Sequence, residues 1–276
     1  MLRKDLRWFF PEKPDELAAI LKDETKAAFH AGGTSILRTK PESVTALIDL
    51  GGLGWNKIHK NGGSVTVGAM ATFNDVIRSK ASKAASFRML QAALSRAASN
   101  AVRNRITIGG SLADYAPWSD LIAPLIALEA EVVCLEDGKN EKKVSAADFI
   151  GKKLAKEKHC IREVIIPEKD IAFAVKRLAR TTFEYGMFSL AVCGKFSGGA
   201  FESVAIVVSG TKDRLARLTE AEKALIGKPL TDELAREAAG KIKVAFAPDV
   251  NFGAEYKANM VGVYLRDALA EIAGRK

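Results

Sequence analysis

Two double-glycine turns constrain this chain more than any other feature. The first closes the run Phe29-His30-Ala31-Gly32-Gly33-Thr34-Ser35-Ile36-Leu37, where an apolar, strand-like approach from Lys26 stops at two glycines and two hydroxyl residues follow. The second lies in Val102-Arg103-Asn104-Arg105-Ile106-Thr107-Ile108-Gly109-Gly110-Ser111-Leu112-Ala113-Asp114. Glycine has no Cβ, so the chain can take positive φ, bring its N–H groups close to a ligand oxygen and aim several of them at one anion. Thr34, Ser35, Thr107 and Ser111 would add hydroxyl donors. Read alone, a Gly-Gly pair after a strand is more often a plain chain reversal than a phosphate cradle. Two such turns, each flanked by hydroxyls, could enclose a diphosphate from both sides. Neither is GxGxxG or GxxxxGK[ST], so a large dinucleotide would be held by paired loops rather than by one helix N-terminus.

Charge is compatible with such a ligand. Lys and Arg number 42 against 33 Asp and Glu, a formal +9, which favours an anionic ligand, an acidic partner or nucleic acid. The cations are scattered, however, over Arg78, Lys80, Lys83, Arg88, Arg103, Arg105, Lys152, Lys153, Lys156 and Lys158. That distribution reads as a solvated surface, and no nucleic-acid motif accompanies it. The 276 residues suffice for two domains, and the 48% apolar content is that of a soluble globular protein. Cys134, Cys160 and Cys193 lie far apart in apolar or strand-like surroundings, with no CxxC cluster. The chain is therefore expected to carry no metal site of its own, and the cysteines read as buried thiols in a reducing cytoplasm. Near the N-terminus the apolar stretch is only Trp8-Phe9-Phe10, too short for a signal-peptide core, and no run approaches the length of a membrane-spanning helix. The expectation is a cytoplasmic protein without membrane insertion.

Local signals place the elements. Pro14-Asp15-Glu16 opens a helix to about Lys22, since proline suits the first turn and acids suit the positive end of the dipole. Ala46 to Leu50 reads as a short buried strand, so residues 1 to about 55 form a small strand–helix–strand unit around the first glycine turn. Asn61-Gly62-Gly63 predicts a hairpin into the strand Ser64 to Ala69, and Thr72 with Asp75 a capping box. Further helices are expected over Ser86–Ala98 and Asp120–Leu128, and strands over Ala130–Glu136 and Ile161–Ile166, the latter preceded by a charged surface segment from Lys152 to His159. Pro167-Glu168-Lys169-Asp170 reads as a domain junction. Beyond it, strands over Ile171–Leu178, Phe188–Phe196 and Val204–Ser209 precede helices over Arg214–Ile226, Asp232–Val244 and Ala254–Ala273, which predicts an α+β domain with helices on one sheet face.

The two glycine motifs, with Ser119-Asp120-Leu121, Ala127-Leu128 and the later Arg180-Thr181-Thr182-Phe183-Glu184-Tyr185 and Ser189-Leu190-Ala191-Val192, resemble in order the FAD-binding subunits of the molybdenum hydroxylases. That family includes the medium subunits of aerobic carbon monoxide dehydrogenases and the flavin subunits of bacterial xanthine dehydrogenases. The resemblance spans nearly the whole chain. It implies a two-part FAD-binding domain of the vanillyl-alcohol-oxidase (PCMH) type over residues 1–170, with subdomains of about 1–55 and 56–170, followed by a C-terminal α+β domain over residues 171–276 with a small antiparallel sheet and helices. It further implies an electron-transfer subunit. FAD would sit here, molybdopterin on a large partner subunit and 2Fe-2S clusters on a small one, with NAD or a quinone as external acceptor.

By the same resemblance, Phe29, Ala31, Gly32, Gly33, Thr34, Ser35 and Ile36 would line one side of the diphosphate, and Thr107, Gly109, Gly110 and Ser111 the other. Asp120, and less directly Asp114, would accept from the polyol, though Asp120 also reads as an N-cap for the helix starting at Leu121. Ile161 would make an apolar contact near the adenine, and Lys176 would lie near the flavin ring; ordinary roles as a core residue and an exposed strand lysine stand beside these. Phe183 or Tyr185 would shield the ring or serve as core. Glu184 stands where Asp is commoner in the family, and Ser35-Ile36-Leu37-Arg38-Thr39 departs from the usual continuation of the first motif. No catalytic triad is visible, and neither His30 nor His59 belongs to a catalytic pattern. A stand-alone flavin reductase or oxidase of the same fold, of the enolpyruvyl-reductase type, is the alternative reading, although no proton-donor pair stands out for it. A basic nucleic-acid-binding protein is the remaining one.

Overall fold

A computed structural model describes residues 6–39, 42–151, 159–250 and 252–274. The expected segment Lys152 to His159 falls, but for its last residue, outside them. The chain divides into two compact units. The first comprises residues 1–82, 99–116 and 129–166, and the second residues 83–98, 117–128 and 167–276. Two segments that precede the Pro167 junction in sequence thus pack with the chain beyond it. Among the described residues no helix is long and apolar enough to cross a membrane.

In the first unit, strands β1 (Arg7–Phe9), β2 (Ala27–His30) and β3 (Ala46–Asp49) form a parallel sheet in the order β1-β3-β2. Helix α1 (Pro14–Asp23) and the short α2 (Thr34–Thr39) connect them. A second sheet has the order β4-β5-β8-β6-β7, from β4 (Ile58–Asn61), β5 (Ser64–Gly68), β6 (Glu131–Glu136), β7 (Asn140–Ser145) and β8 (Cys160–Pro167). Asn61 and Ser64 face each other across the expected hairpin, and Gly62 and Gly63 carry the positive φ that its tight turn requires. Helix α3 (Phe73–Arg78) begins with the expected capping box, Thr72 and Asp75 each bonding the other's backbone N–H. Leu17, Ile48, Leu50, Leu135 and Cys160 are buried together, so α1 and both sheets share one core.

The second unit is built on an antiparallel sheet ordered β12-β11-β10-β9, from β9 (Ala172–Leu178), β10 (Phe188–Ser197), β11 (Ala200–Ser209) and β12 (Leu215–Arg217). Phe188, Leu190 and Val192 face a core shared with helices α9 (Thr219–Leu225), α10 (Asp232–Gly240) and α11 (Ala254–Ile272). The alternate residues of β10, Ser189, Ala191 and Cys193, are buried too. They lie on the other face, where the Cys193 thiol donates to the Ala127 carbonyl at the end of α7 (Ile122–Ala127). Helices therefore cover both faces, not one as expected, because α4 (Ala85–Ser95) and α7 come from sequence before the junction. The expected helix over 214–226 is shorter as well. Residues 215–217 pair antiparallel with β11, and Arg214 takes φ +73°, so the helix starts only at Thr219.

Candidate functional site

β2 delivers the chain to Gly32 and Gly33, after which α2 begins at once. Gly33 takes φ +78°, a left-handed conformation that strains any residue with a Cβ. Beneath it, His30 Nδ1 and Asp49 Oδ2 are 2.8 Å apart, and Asp49 Oδ1 accepts from the Gly51 N–H at 2.7 Å. Gly32 is constrained differently. A Cβ there would sit 1.5 Å from the carbonyl oxygen of Arg105, so the backbones of the two motifs meet with no room for a side chain. The Arg105 Nε donates to the Gly32 carbonyl at 3.3 Å, closing the same contact from the other side.

The second motif is held as a ladder against residues 69–73. Phe73 N–H donates to Ile106 O at 2.9 Å, Ile108 N–H to Ala71 O at 2.9 Å and Gly109 N–H to Ala69 O at 2.8 Å. A Cβ on Gly109 would lie 2.6 Å from the Ala69 Cβ, so this glycine too is a close-approach residue. Thr107 then caps α6 (Ile108–Asp114) by accepting from the Gly110 N–H. Both glycine pairs thus adjoin the first turn of a short helix, where paired loops were expected. In α6 the Gly109 and Gly110 N–H groups are occupied by Ala69 and Thr107. The first N–H groups of α2 have no acceptor within their own helix, so they are donors this site can offer an anion.

Between the motifs lies a cleft of about 330 Å³. Phe29, Ala31, Gly32, Gly33, Thr34, Ser35, Ile36, Thr107, Gly109, Gly110, Asp114 and Ile161 all line it. Ser111 is on α6 but not in the lining. The Ser35 hydroxyl, expected to face a diphosphate, donates to Asp114 Oδ1 at 2.6 Å, and Arg38 Nη2 reaches both Asp114 oxygens at 3.0 and 3.1 Å. Asp114 is thereby a strut between α2 and α6. Sequence reasoning missed Leu50, Met70, His159 and Cys160, which also line the cleft. His159 followed a charged run and read as surface, yet its side chain is only 9% exposed, with Nε2 3.3 Å from Glu136 Oε1. A bare-backbone turn, helix N–H groups with no acceptor in their own helix and an apolar floor fit the diphosphate and rings of a dinucleotide such as FAD.

Cys160 lies in the cleft wall, and burial, with Cys134 adding to it, pushes its thiol up to about 12. It is a neutral thiol at physiological pH, without the thiolate that makes cysteine reactive. All three cysteines are buried. We expect no alkylation of any of them by iodoacetamide at pH 8 in the native protein and full alkylation in denaturant. Mass spectrometry reads this directly, and native modification of Cys160 would show that the wall opens.

Asp120 and Lys176 belong to the second unit and do not line this cleft. Asp120 does not cap a helix, since α7 has Leu121 at its N-cap without a side-chain bond. Its carboxylate instead accepts from Arg177 Nε at 3.1 Å and from the Ser189 hydroxyl. Burial pushes the Asp120 carboxyl up, while the Arg177 charge and the bonds from Ser189 and Arg177 pull it back in part. Lys176, also buried, donates to Glu271 at 2.7 Å, so it is not an exposed strand lysine. Phe183 and Tyr185 are not core either: both are exposed, and the Tyr185 ring packs on Trp118 at 4.7 Å.

Family models divide the chain in sequence, near the Pro167–Asp170 junction, and so place residues 83–98 and 117–128 with the first part rather than with the second compact unit. A family model described as the FAD binding domain in molybdopterin dehydrogenase matches residues 4–169, and one for the CO dehydrogenase flavoprotein C-terminal domain matches residues 173–272. The carbon monoxide dehydrogenase medium chain of Hydrogenophaga pseudoflava is 30% identical over 286 residues, covering 98% of this chain and 97% of the relative. The nicotine 6-hydroxylase medium subunit of Paenarthrobacter nicotinovorans is 27% identical over 279 residues, covering 98% of each. Among solved structures, carbon monoxide dehydrogenase from Hydrogenophaga pseudoflava, in a form lacking the Mo-pyranopterin moiety, superposes with a TM-score of 0.92 at 29% identity, covering 100% of this chain and 99% of that one.

Proposed function

The chain belongs to the family of FAD-binding subunits of the molybdopterin dehydrogenases, and from that premise we propose that it is the electron-transfer subunit of a molybdenum hydroxylase. The resemblance read from its motifs is the family it falls in, and FAD is the cofactor of that family's domain. In the proposed assembly, reducing equivalents reach this chain from a small iron–sulfur subunit, after substrate oxidation on a large molybdopterin subunit, and leave for an external acceptor such as NAD or a quinone. When bound, FAD supplies the two-electron capacity that links such partners.

The observation that carries the reading is the meeting of the two glycine motifs around one cleft, Gly32 against the Arg105 carbonyl. Here the first-turn N–H groups of α2 would hold the diphosphate. Asp114, held by Ser35 and Arg38, would accept from hydroxyls of the cofactor's polyol or ribose, and the Arg38 charge would offset the repulsion between that carboxylate and the phosphates. Phe29, Ile36, Leu50, Met70 and Ile161 would exclude water from the rings. Asp120 and Lys176 we assign to packing of the second unit, on the strength of their partners Arg177, Ser189 and Glu271.

Titrating the purified chain with FAD is expected to quench flavin fluorescence and shift the flavin absorption bands, saturating at an equimolar ratio. An unchanged spectrum, with circular dichroism showing the fold intact, would sink the cofactor reading. Purification of the complex from its native host, with flavin, iron and molybdenum assayed together, tests the partners.

A further inference from the structure

Asn74 lies outside the cleft lining, is only 3% exposed, and is the hub of a polar cluster to which the cofactor reading assigns nothing. Its side-chain amide donates to the Asn100 carbonyl at 3.1 Å, to Asn100 Oδ1 at 2.9 Å and to Asn104 Oδ1 at 2.6 Å. Its own Oδ1 accepts from Arg103 Nε at 3.2 Å. These partners all belong to α5 (Asn100–Arg103) and the residue directly after it. A helix of one turn is marginal alone, so its position depends on what grips it. Ser99 caps its start, and Asn74 holds it from α3.

α5 in turn carries the contact between the motifs. The Arg105 and Ile106 N–H groups both donate to the Val102 carbonyl, at 2.9 and 3.0 Å, so the Arg105 peptide hangs from the end of this helix. The carbonyl of Arg105 is the atom against which Gly32 packs. A shift of α5 would therefore move the first glycine turn relative to the second. We propose that Asn74 is a positioning residue that sets the spacing of the two glycine turns, and through it the affinity of the cleft for FAD. The proposal rests on the cofactor reading above.

The chemistry of the cluster ranks its variants. Asn74→Leu removes every bond and leaves the Arg103, Asn100 and Asn104 groups without this partner. Asn74→Asp keeps the shape and the Arg103 contact, and the Asn100 and Asn104 amides can rotate to present N–H groups to the new carboxylate, while the Asn100 carbonyl loses its donor and faces a carboxylate oxygen instead. FAD affinity is measured by fluorescence titration and the fold by thermal melting without FAD. We expect the Kd of Asn74→Leu to rise about tenfold or more, a scale set by the binding arithmetic of a single lost buried contact. The Kd of Asn74→Asp should fall between that of Asn74→Leu and wild type, partial rescue that a role confined to stability would not produce. A lowered melting temperature with an unchanged Kd for Asn74→Leu overturns the proposal. If Asn74→Leu does not fold, Asn104→Ala, which removes one acceptor from an exposed residue, takes its place, with a severalfold weaker Kd expected and an unchanged one overturning the idea. Wild-type protein that binds no FAD takes down the cofactor reading and this one with it, whereas wild-type binding matched by the variants takes down only the role of Asn74.

Discussion

Gly32→Ala is expected to abolish FAD retention and to lower the stability of the chain by more than ~3 kcal/mol, the upper part of the range for overpacking. The added Cβ would stand 1.5 Å from the Arg105 carbonyl oxygen and 2.7 Å from its carbon. Those are backbone atoms, which no rotamer change can move aside. Arg105 is tied to Val102, so either the Arg105 peptide leaves α5 or β2 leaves its register with β3. Both outcomes part the motifs. Gly33→Ala gives a smaller defect, because its φ of +78° carries a strain of ~1–2 kcal/mol while its nearest neighbour is the end of the His30 side chain at 3.1 Å. Gly240→Ala meets nothing within 4 Å and has no positive φ, so it should be neutral or slightly stabilising. Urea midpoints and FAD titrations of the three variants give the ranking. A Gly32→Ala protein that binds FAD as wild type does would mean that the two motifs need not touch.

That contact shows where sequence reasoning reached and where it stopped. The glycines were legible as sites of special backbone freedom, and Gly33 uses that freedom. Gly32 and Gly109 are glycines for another reason, the close approach of Arg105 and of Ala69, which lie far from them in sequence. The hairpin at Asn61-Gly62-Gly63 and the cap at Thr72 were legible because each is settled between residues a few positions apart. β1 and β12 were not, since three residues become a strand only by pairing with Ala46–Ile48 or Val207–Ser209. The apolar faces of α4 and α7 announced burial without naming the sheet they cover, so the covering of both faces of β10 emerged only in three dimensions. Asp114 read as a ligand for a polyol, and its cross-link to Ser35 and Arg38 has no local signature.

Asp120 is the clearest case of a residue whose partner decides its chemistry, and Arg177→Met is expected to destabilise the protein by ~3–5 kcal/mol at pH 8, the effect of leaving one member of a buried ion pair alone. Arg177 and Asp120 are 8% and 6% exposed, so solvent screens this pair little. Burial raises the Asp120 carboxyl even with Arg177 beside it, and the arginine is the largest influence pulling it down. Without Arg177 the carboxyl must rise further. The folded variant then holds its proton over a pH range in which the unfolded chain has released it, and its stability falls as pH rises through that range. The deficit relative to wild type is thus largest in alkali and shrinks on acidification, as the wild-type carboxyl, itself raised by burial, takes up its proton too. Urea midpoints measured from pH 5 to pH 8 should converge at the acid end, and a deficit that ignores pH would show that lost packing, not the stranded charge, is responsible. Removing both charges separates the two further. Asp120→Leu combined with Arg177→Met takes away the stranded carboxyl group, and a buried pair replaced by apolar groups is often neutral. The double variant should therefore be more stable at pH 8 than Arg177→Met alone, the non-additivity expected of groups in contact or in one hydrogen-bond network.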